Sequence, residues 1–417
     1  MTLPAKIAVT FDFSSGATFG TGFVIGSPDN GIIGVNSFGS SDVIIPTVDL
    51  TPNVYSISIR RGRNILKDTY DAGTAIVRVL DPLGYFNPQN PASPYFGYLV
   101  PLRKVRISAT TATADHFLFS GYVNDYRYTF PVGQETAYVD ILCTDGFRLL
   151  QMSNIATVAD TPAGQTTGTR INKILDDVQF PNSMRQISTG DATCIADTGT
   201  VRTTLDAIKN AEFSEGLGAF YMSPDGSAVY KSRSEVTRSL GEPATAFNQT
   251  TGISYRSVKY AFDDKLIIND VRFTRAGAGA VTQNVFSQSS IDKYFPHGLN
   301  QENLIAETDA QVLGAAQNYV NTRKETTIRI DEMLVDLLDP AVPTDTLIGL
   351  DYFDNLDITN VTESGSTINK TLQAQGFAWD ITANKMQVAI TTLEPIVDGF
   401  IIGSSTYGII GQSTLSY

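Results

Sequence analysis

Three arginines, Arg60, Arg61 and Arg63, crowd around Gly62, and guanidinium groups at that density could clamp a phosphate. They stand at the end of an alternating apolar run, VYSISIRRG, so pairing with carboxylates at a solvated or intersubunit face fits them better. The acids Asp176 and Asp177, Asp263 and Asp264, and the trio Asp351, Asp354 and Asp357 raise acid–base catalysis or calcium. None has calcium-loop spacing, and turns or strand ends account for them. His116 and His297 are the only histidines and Cys143 and Cys194 the only cysteines, which is poor material for a zinc site or a disulfide scaffold. Both cysteines are expected as small buried residues. Neither Gly-x-Ser-x-Gly nor His-Glu-x-x-His occurs. The expectation is a protein that is not an enzyme, with no catalytic residue, cofactor or metal.

The elements that would position these groups are mostly strands. From Val54 to Leu150 apolar residues alternate in VYSISIRRG, AIVRVLD, RKVRISAT, FLFSGYVNDYRYTF and YVDILCTD, the pattern of a barrel or sandwich. A helical block follows, with Ile171, Ile174, Leu175 and Val178 on one face and a second helix over 204–216, before a hairpin at 218–233 built on a Pro-Asp-Gly turn. Strands are expected at 266–275, 326–338, 354–363 and 369–395, with a helix over 304–325.

The sequence thus predicts a mainly β chain with an α+β insertion. It divides into a glycine-rich segment 1–45, a β-barrel 46–150, the insertion 151–240, a strand-and-helix unit 241–344, a second β-barrel 345–395 and a terminal hairpin 396–417. The segments GFVIGSPDNGIIG (22–34) and GFIIGSSTYGIIG (399–411) match at nine of thirteen positions. Both read as hairpins: either terminal ornaments whose glycines serve turns, or assembly devices, since such hairpins are marginal in water unless a partner surface takes up their apolar side chains. Phe23, Ile25, Ile32, Phe400, Ile402 and Ile409 are the expected assembly contacts, at subunit boundaries.

A formal charge of −13, from 30 Lys and Arg against 43 Asp and Glu, argues against sequence-specific binding of nucleic acid. No run of 18 to 20 apolar residues is present to span a membrane. Only 18% of residues are charged, against 22 Phe and 18 Tyr, which favours a chain whose faces are covered by neighbours.

Across 56–107 the order Arg-Gly-Arg, Ala-Gly-Thr-Ala, Asp-x-x-Gly-x-Phe-x-Pro, Ser-Pro-Tyr-x-Gly and Pro-Leu-Arg-x-Val-Arg-Ile resembles the amino-terminal region of the tail-tip or baseplate hub proteins (minor tail proteins) of long-tailed bacteriophages. The positions carrying it are Arg60, Arg61, Gly62, Arg63, Gly73, Asp81, Gly84, Phe86, Pro88, Tyr95, Gly97, Pro101, Arg103 and Arg106, and weaker likeness extends over most of 50–395. The resemblance implies two tandem hub-type barrels and a homotrimer whose six barrels match a sixfold tail tube to a threefold tip. Its implied partners are the distal tail protein, the tape-measure protein and other tail-tip proteins, with genomic DNA crossing the lumen without specific binding. The implied location is the virion tail tip, after synthesis in the host cytoplasm. With the chain stopping at Tyr417, a fused peptidase or lysin is not expected. A distal tail ring and, less well supported with Trp379 as the single Trp, a carbohydrate-binding receptor protein stay open.

Overall fold

The computed structural model describes residues 3–13, 47–64, 69–131, 136–249, 251–326, 329–361 and 367–394. The repeated segments 22–34 and 399–411, with Phe23, Ile25, Ile32, Phe400, Ile402 and Ile409, lie outside the described residues.

The amino-terminal β unit follows from alternation. β1 (Lys6–Asp12) buries Ile7, Val9 and Phe11 and turns Lys6, Ala8 and Thr10 outward. After the short β2 (Thr47–Asp49), the same period of two runs through β3 (Val54–Asn64), β5 (Thr74–Leu80), β6 (Lys104–Thr110) and β8 (Tyr138–Thr144), because one pleat face must leave water; β4 (Thr69–Tyr70) is short, and β7 (Asp115–Thr129) breaks the period where its register shifts at Leu118 and Asn124. The strands lie in the order β2-β1-β6-β7-β8-β5-β3.

The insertion then changes period. α1 (Phe147–Met152), α2 (Thr167–Asp177) and α3 (Thr204–Glu215) pack on a small sheet of β9 (Arg185–Ile187), β10 (Ala219–Met222) and β11 (Ala228–Lys231), with α4 (Arg233–Arg238) following. Ile171, Ile174 and Leu175 of α2 meet Ile208 and Phe220 in its own core. Thr166 and Thr203 cap α2 and α3 by accepting from Thr169 and Asp206 N–H. Cys143 and Cys194 are free and buried.

Next come β12 (Thr245–Asn248), β13 (Ser257–Ala261), β14 (Asp270–Arg275), β15 (Gln283–Phe286), α5 (Gln288–Tyr294), β16 (Gly298–Leu304) and α6 (Asp309–Arg323). α6 packs on β14 and β15 through Val271, Phe273, Val312, Ala316 and Tyr319. The helix expected over 304–325 starts only at Asp309, where Thr308 and Gln311 form a capping box. Residues 298–304 are instead a strand parallel to β14.

The last elements among the described residues are β17 (Arg329–Asp336), α7 (Thr344–Gly349), β18 (Asn355–Val361), β19 (Thr367–Thr382) and β20 (Lys385–Leu393). β12, β13 and β17, which come from the segment 241–344, pair in the same sheet as β18, β19 and β20. Alternation identifies a strand without naming its neighbour. The β12–β13 connection runs from β18 across to β17, held where Ile253 N–H donates to Ala246 O at 2.9 Å and Arg256 N–H to Leu334 O at 2.7 Å.

The two β units share one sheet. β19 pairs with β18 through its first half, bulges beside Gln375, and pairs with β3 through its second half. Gly376 opposes Gly62 and Thr382 opposes Ser56, so the first and last thirds of the chain are joined by backbone hydrogen bonds.

Candidate functional site

The motif residues separate into two places. Arg61, Gly62, Arg63 and Gly73 surround a buried junction where β3 meets β19 and the insertion. The Arg61 guanidinium donates to Met222 O at 3.0 Å and to Asp351 Oδ1 at 3.3 Å, and lies 4.9 Å above the Tyr352 ring. One side chain therefore ties the first β unit, the insertion and the last β unit together. Burial pulls its pKa down, but Tyr352, Asp351 and Asp145 outweigh that and raise it.

Tyr70 packs at a tilt against Tyr221, Tyr352 and Phe353 at centroid distances of 5.3, 4.6 and 5.9 Å. Its hydroxyl donates to Gln375 Oε1 at 2.5 Å, the same oxygen that Arg63 approaches at 3.5 Å. Burial holds the Tyr70 phenol far above its ordinary value, so it stays a neutral donor.

Gly73 allows the chain to pass beneath Asp145. Its N–H donates to Asp145 Oδ2 at 2.6 Å, and a Cβ there would stand 2.8 Å from that oxygen and 3.1 Å from Arg61 Cγ. Asp145 also accepts from Phe147 N–H at 3.0 Å, fixing the start of α1. Burial pushes the Asp145 carboxyl up to about 7, against the opposing pull of these N–H groups, Arg61 and Lys209. Arg60, adjacent in sequence, is exposed.

The second place is the connection between β5 and β6. Asp81, 5% exposed, accepts from Tyr85 N–H at 2.8 Å and Phe86 N–H at 2.9 Å. Gly84 and Gly97 adopt φ of +65° and +82°, which favours glycine. Phe86 and Tyr95 pack at 5.2 Å, and Tyr95 reaches Phe13 at 5.4 Å. Arg103 donates to Tyr98 O at 3.1 Å, which closes the loop. Pro88 and Pro101 are exposed on it, and Arg106 lies over Phe117 at 4.7 Å on the neighbouring strands.

Five of the acids singled out by their spacing, Asp351 among them, are engaged within the fold. Asp263 accepts two bonds from Arg329, at 2.5 and 2.8 Å, and Asp176 one from Arg185 at 2.6 Å. Asp354 accepts from Asp351 N–H at 2.8 Å and Asp357 from Thr371 Oγ1 at 2.5 Å. His116 faces Asp345 at 3.4 Å, between the β6–β7 turn and α7. The sequence reading missed Asp145, Met222, Tyr352, Gln375 and Gly376 as partners in the junction. Asp145, Met222 and Gly376 stood in segments of weaker likeness, but nothing local marked them as neighbours of Arg61 or Gly62.

On the outer wall of the first β unit, Arg78 forms two bonds with Asp140, at 2.7 and 2.8 Å, and lies 4.4 Å above Tyr138. Tyr55, Ile76 and Leu80 are exposed nearby on β3 and β5.

No protein-family model matches the chain, and no curated protein matches it in sequence. Solved structures do. The 43 kDa tail protein of prophage MuSo2 from Shewanella oneidensis is similar over 84% of this chain and 95% of its own, with TM-score 0.52 and 11% identity. A tail protein from Neisseria meningitidis MC58 is similar over 82% of this chain and 92% of its own, also at TM-score 0.52 and 11% identity. The chain therefore shares the fold of these two tail proteins, a mainly β architecture with an α+β insertion.

Proposed function

We propose that this chain is a structural subunit of a phage tail tip, a hub that assembles as a homotrimeric ring between the tail tube and the tip. The observation that carries the reading is the β3–β19 ladder, which sets two β units side by side in one chain. Three copies then offer six such units, a means of matching a sixfold tube to a threefold tip. Fold similarity to two tail proteins over more than four fifths of each chain supports it.

The role needs no chemistry from the junction, where Arg61, Tyr70 and Asp145 are engaged with Met222, Asp351, Gln375, Gly73 and Phe147. Genomic DNA would cross the lumen during ejection without specific contacts, which a net charge of −13 favours. The distal tail protein, the tape-measure protein and other tail-tip proteins would be its neighbours. The motif loop 81–103 and the repeated terminal segments would serve assembly. Imaging of intact tail tips, with native mass measurement of the purified protein, tests this. Three copies at the tip are expected; a sixfold ring at the tube or a receptor-binding fibre position overturns it.

A further inference from the structure

Arg61 works through a single nitrogen. Both of its hydrogen bonds, to Met222 O at 3.0 Å and to Asp351 Oδ1 at 3.3 Å, leave from Nη2, and Nε–H and Nη1 make none among the described residues. The side chain is only 7% exposed, so most of a planar fork of five donors stands idle inside the protein. A second acid lies directly beside it. The point where a Cβ on Gly73 would stand is 3.1 Å from Arg61 Cγ and 2.8 Å from Asp145 Oδ2, so only a glycine separates the two side chains. No hydrogen bond joins them; Asp145 takes its bonds from Gly73 N–H and Phe147 N–H.

The groups around Asp145 decide which cation answers its charge. Facing it are Arg61 from β3, Lys209 from α3, the N–H groups of Gly73 and Phe147 and, on the far side of Arg61, Asp351 and Tyr352. Lys209 is already held, by Glu212 Oε2 at 2.7 Å and Phe220 O at 3.2 Å. Arg61 has donors to spare, and the longer of its two bonds goes to Asp351, which is one-third exposed. An open cleft of about 780 Å³, lined by Ala72, Phe147 and Lys209, borders the site and gives water access to the proton.

We infer that Arg61 and Asp145 form a proton-operated latch: with Asp145 neutral, Arg61 holds Asp351 of the last β unit, and with Asp145 ionised, Arg61 turns an idle donor onto it and releases Asp351. Burial pushes the Asp145 carboxyl up to about 7, so the latch opens as pH rises through neutrality. What it releases is the link between α7 and β18, where Asp351 N–H donates to Asp354 Oδ2 at 2.8 Å and Phe353 N–H to Ala374 O at 2.9 Å.

Hydrogen exchange of the full-length chain tests this, read by mass spectrometry on peptides covering residues 351–356 and referred to the intrinsic exchange rate at each pH. Between pH 5.5 and pH 8.5 the wild-type segment should lose about tenfold in protection, the worth of one hydrogen bond. Asp145→Asn, neutral throughout, should show the same protection at both pH values, and Asp351→Ala the low value at both. Wild-type protection that does not change with pH, or an equal fall in Asp145→Asn, overturns the inference. Structures of the wild-type chain at the two pH values need no variant. An Arg61 nitrogen within hydrogen-bond distance of Asp145 is expected at pH 8.5 alone, and its absence there overturns the latch as well.

Discussion

Gly62 and Gly376 face each other across the β3–β19 ladder with little room for a side chain on either. A Cβ on Gly62 would lie 3.1 Å from Gly376 Cα, and one on Gly376 3.2 Å from both Gly62 Cα and Arg61 O. All three atoms are backbone, so relief means separating the strands that join the two β units.

Gly376→Val is accordingly expected to cost about 1 to 3 kcal/mol, the range of overpacked cores. Gly62→Ala and Gly376→Ala combined should cost more than their sum, since each methyl occupies the space into which the other would relax. Urea unfolding of the two single variants and the double variant measures this, and simple additivity would contradict the close approach.

Arg60 and Arg61 are neighbours in sequence with opposite surroundings. Arg61→Met leaves Met222 O and Asp351 without their donor. Asp351 is one-third exposed, so the expected loss is about 2 kcal/mol, below the figure for a fully buried pair. Arg60→Met should stay within about 0.5 kcal/mol of wild type. Arg61→Lys should recover only part of the loss, because a single ammonium cannot reproduce the planar fork. Denaturant midpoints of the three variants decide the matter.

Asp145 predicts a pH dependence. Its native carboxyl is raised from 3.8 to about 7, so the folded state holds this proton more tightly than the unfolded state. Its contribution is fully present below pH 3.8 and is lost as pH rises through about 7, with a slope of at most about 1.4 kcal/mol per pH unit. Asp145→Asn should flatten that slope between pH 5 and pH 7 while lowering stability at pH 5, as one of two N–H groups loses its acceptor. Equal slopes for variant and wild type would refute the assignment.

Asp81→Ala should loosen the loop after β5. The N–H groups of Tyr85 and Phe86 lose their acceptor, at about 1 to 3 kcal/mol for the buried one. Limited proteolysis should show faster cleavage between 84 and 97, with cleavage elsewhere unchanged.

Alternation alone identified the strands at 54–62, 75–81, 103–110, 117–130 and 138–145, because a half-buried pleat writes its period of two into local sequence. Helical spacing likewise located α2 and α3. The residues from Asp81 to Gly97 were singled out through the resemblance, and their acceptor, donors and glycines lie within a few residues of one another. The junction was not legible locally. Arg61 is separated by 161 residues from Met222 and by 290 from Asp351, and Tyr70 by 305 from Gln375. A period of two says that Gly62 and Gly376 are each in a strand and leaves every pairing equally open. Only when β19 bulges at Gln375 and changes partner from β18 to β3 do these residues meet. That choice is made by packing the side chains of both β units into one continuous core, a free-energy difference spread over the whole chain and carried by no single segment of it.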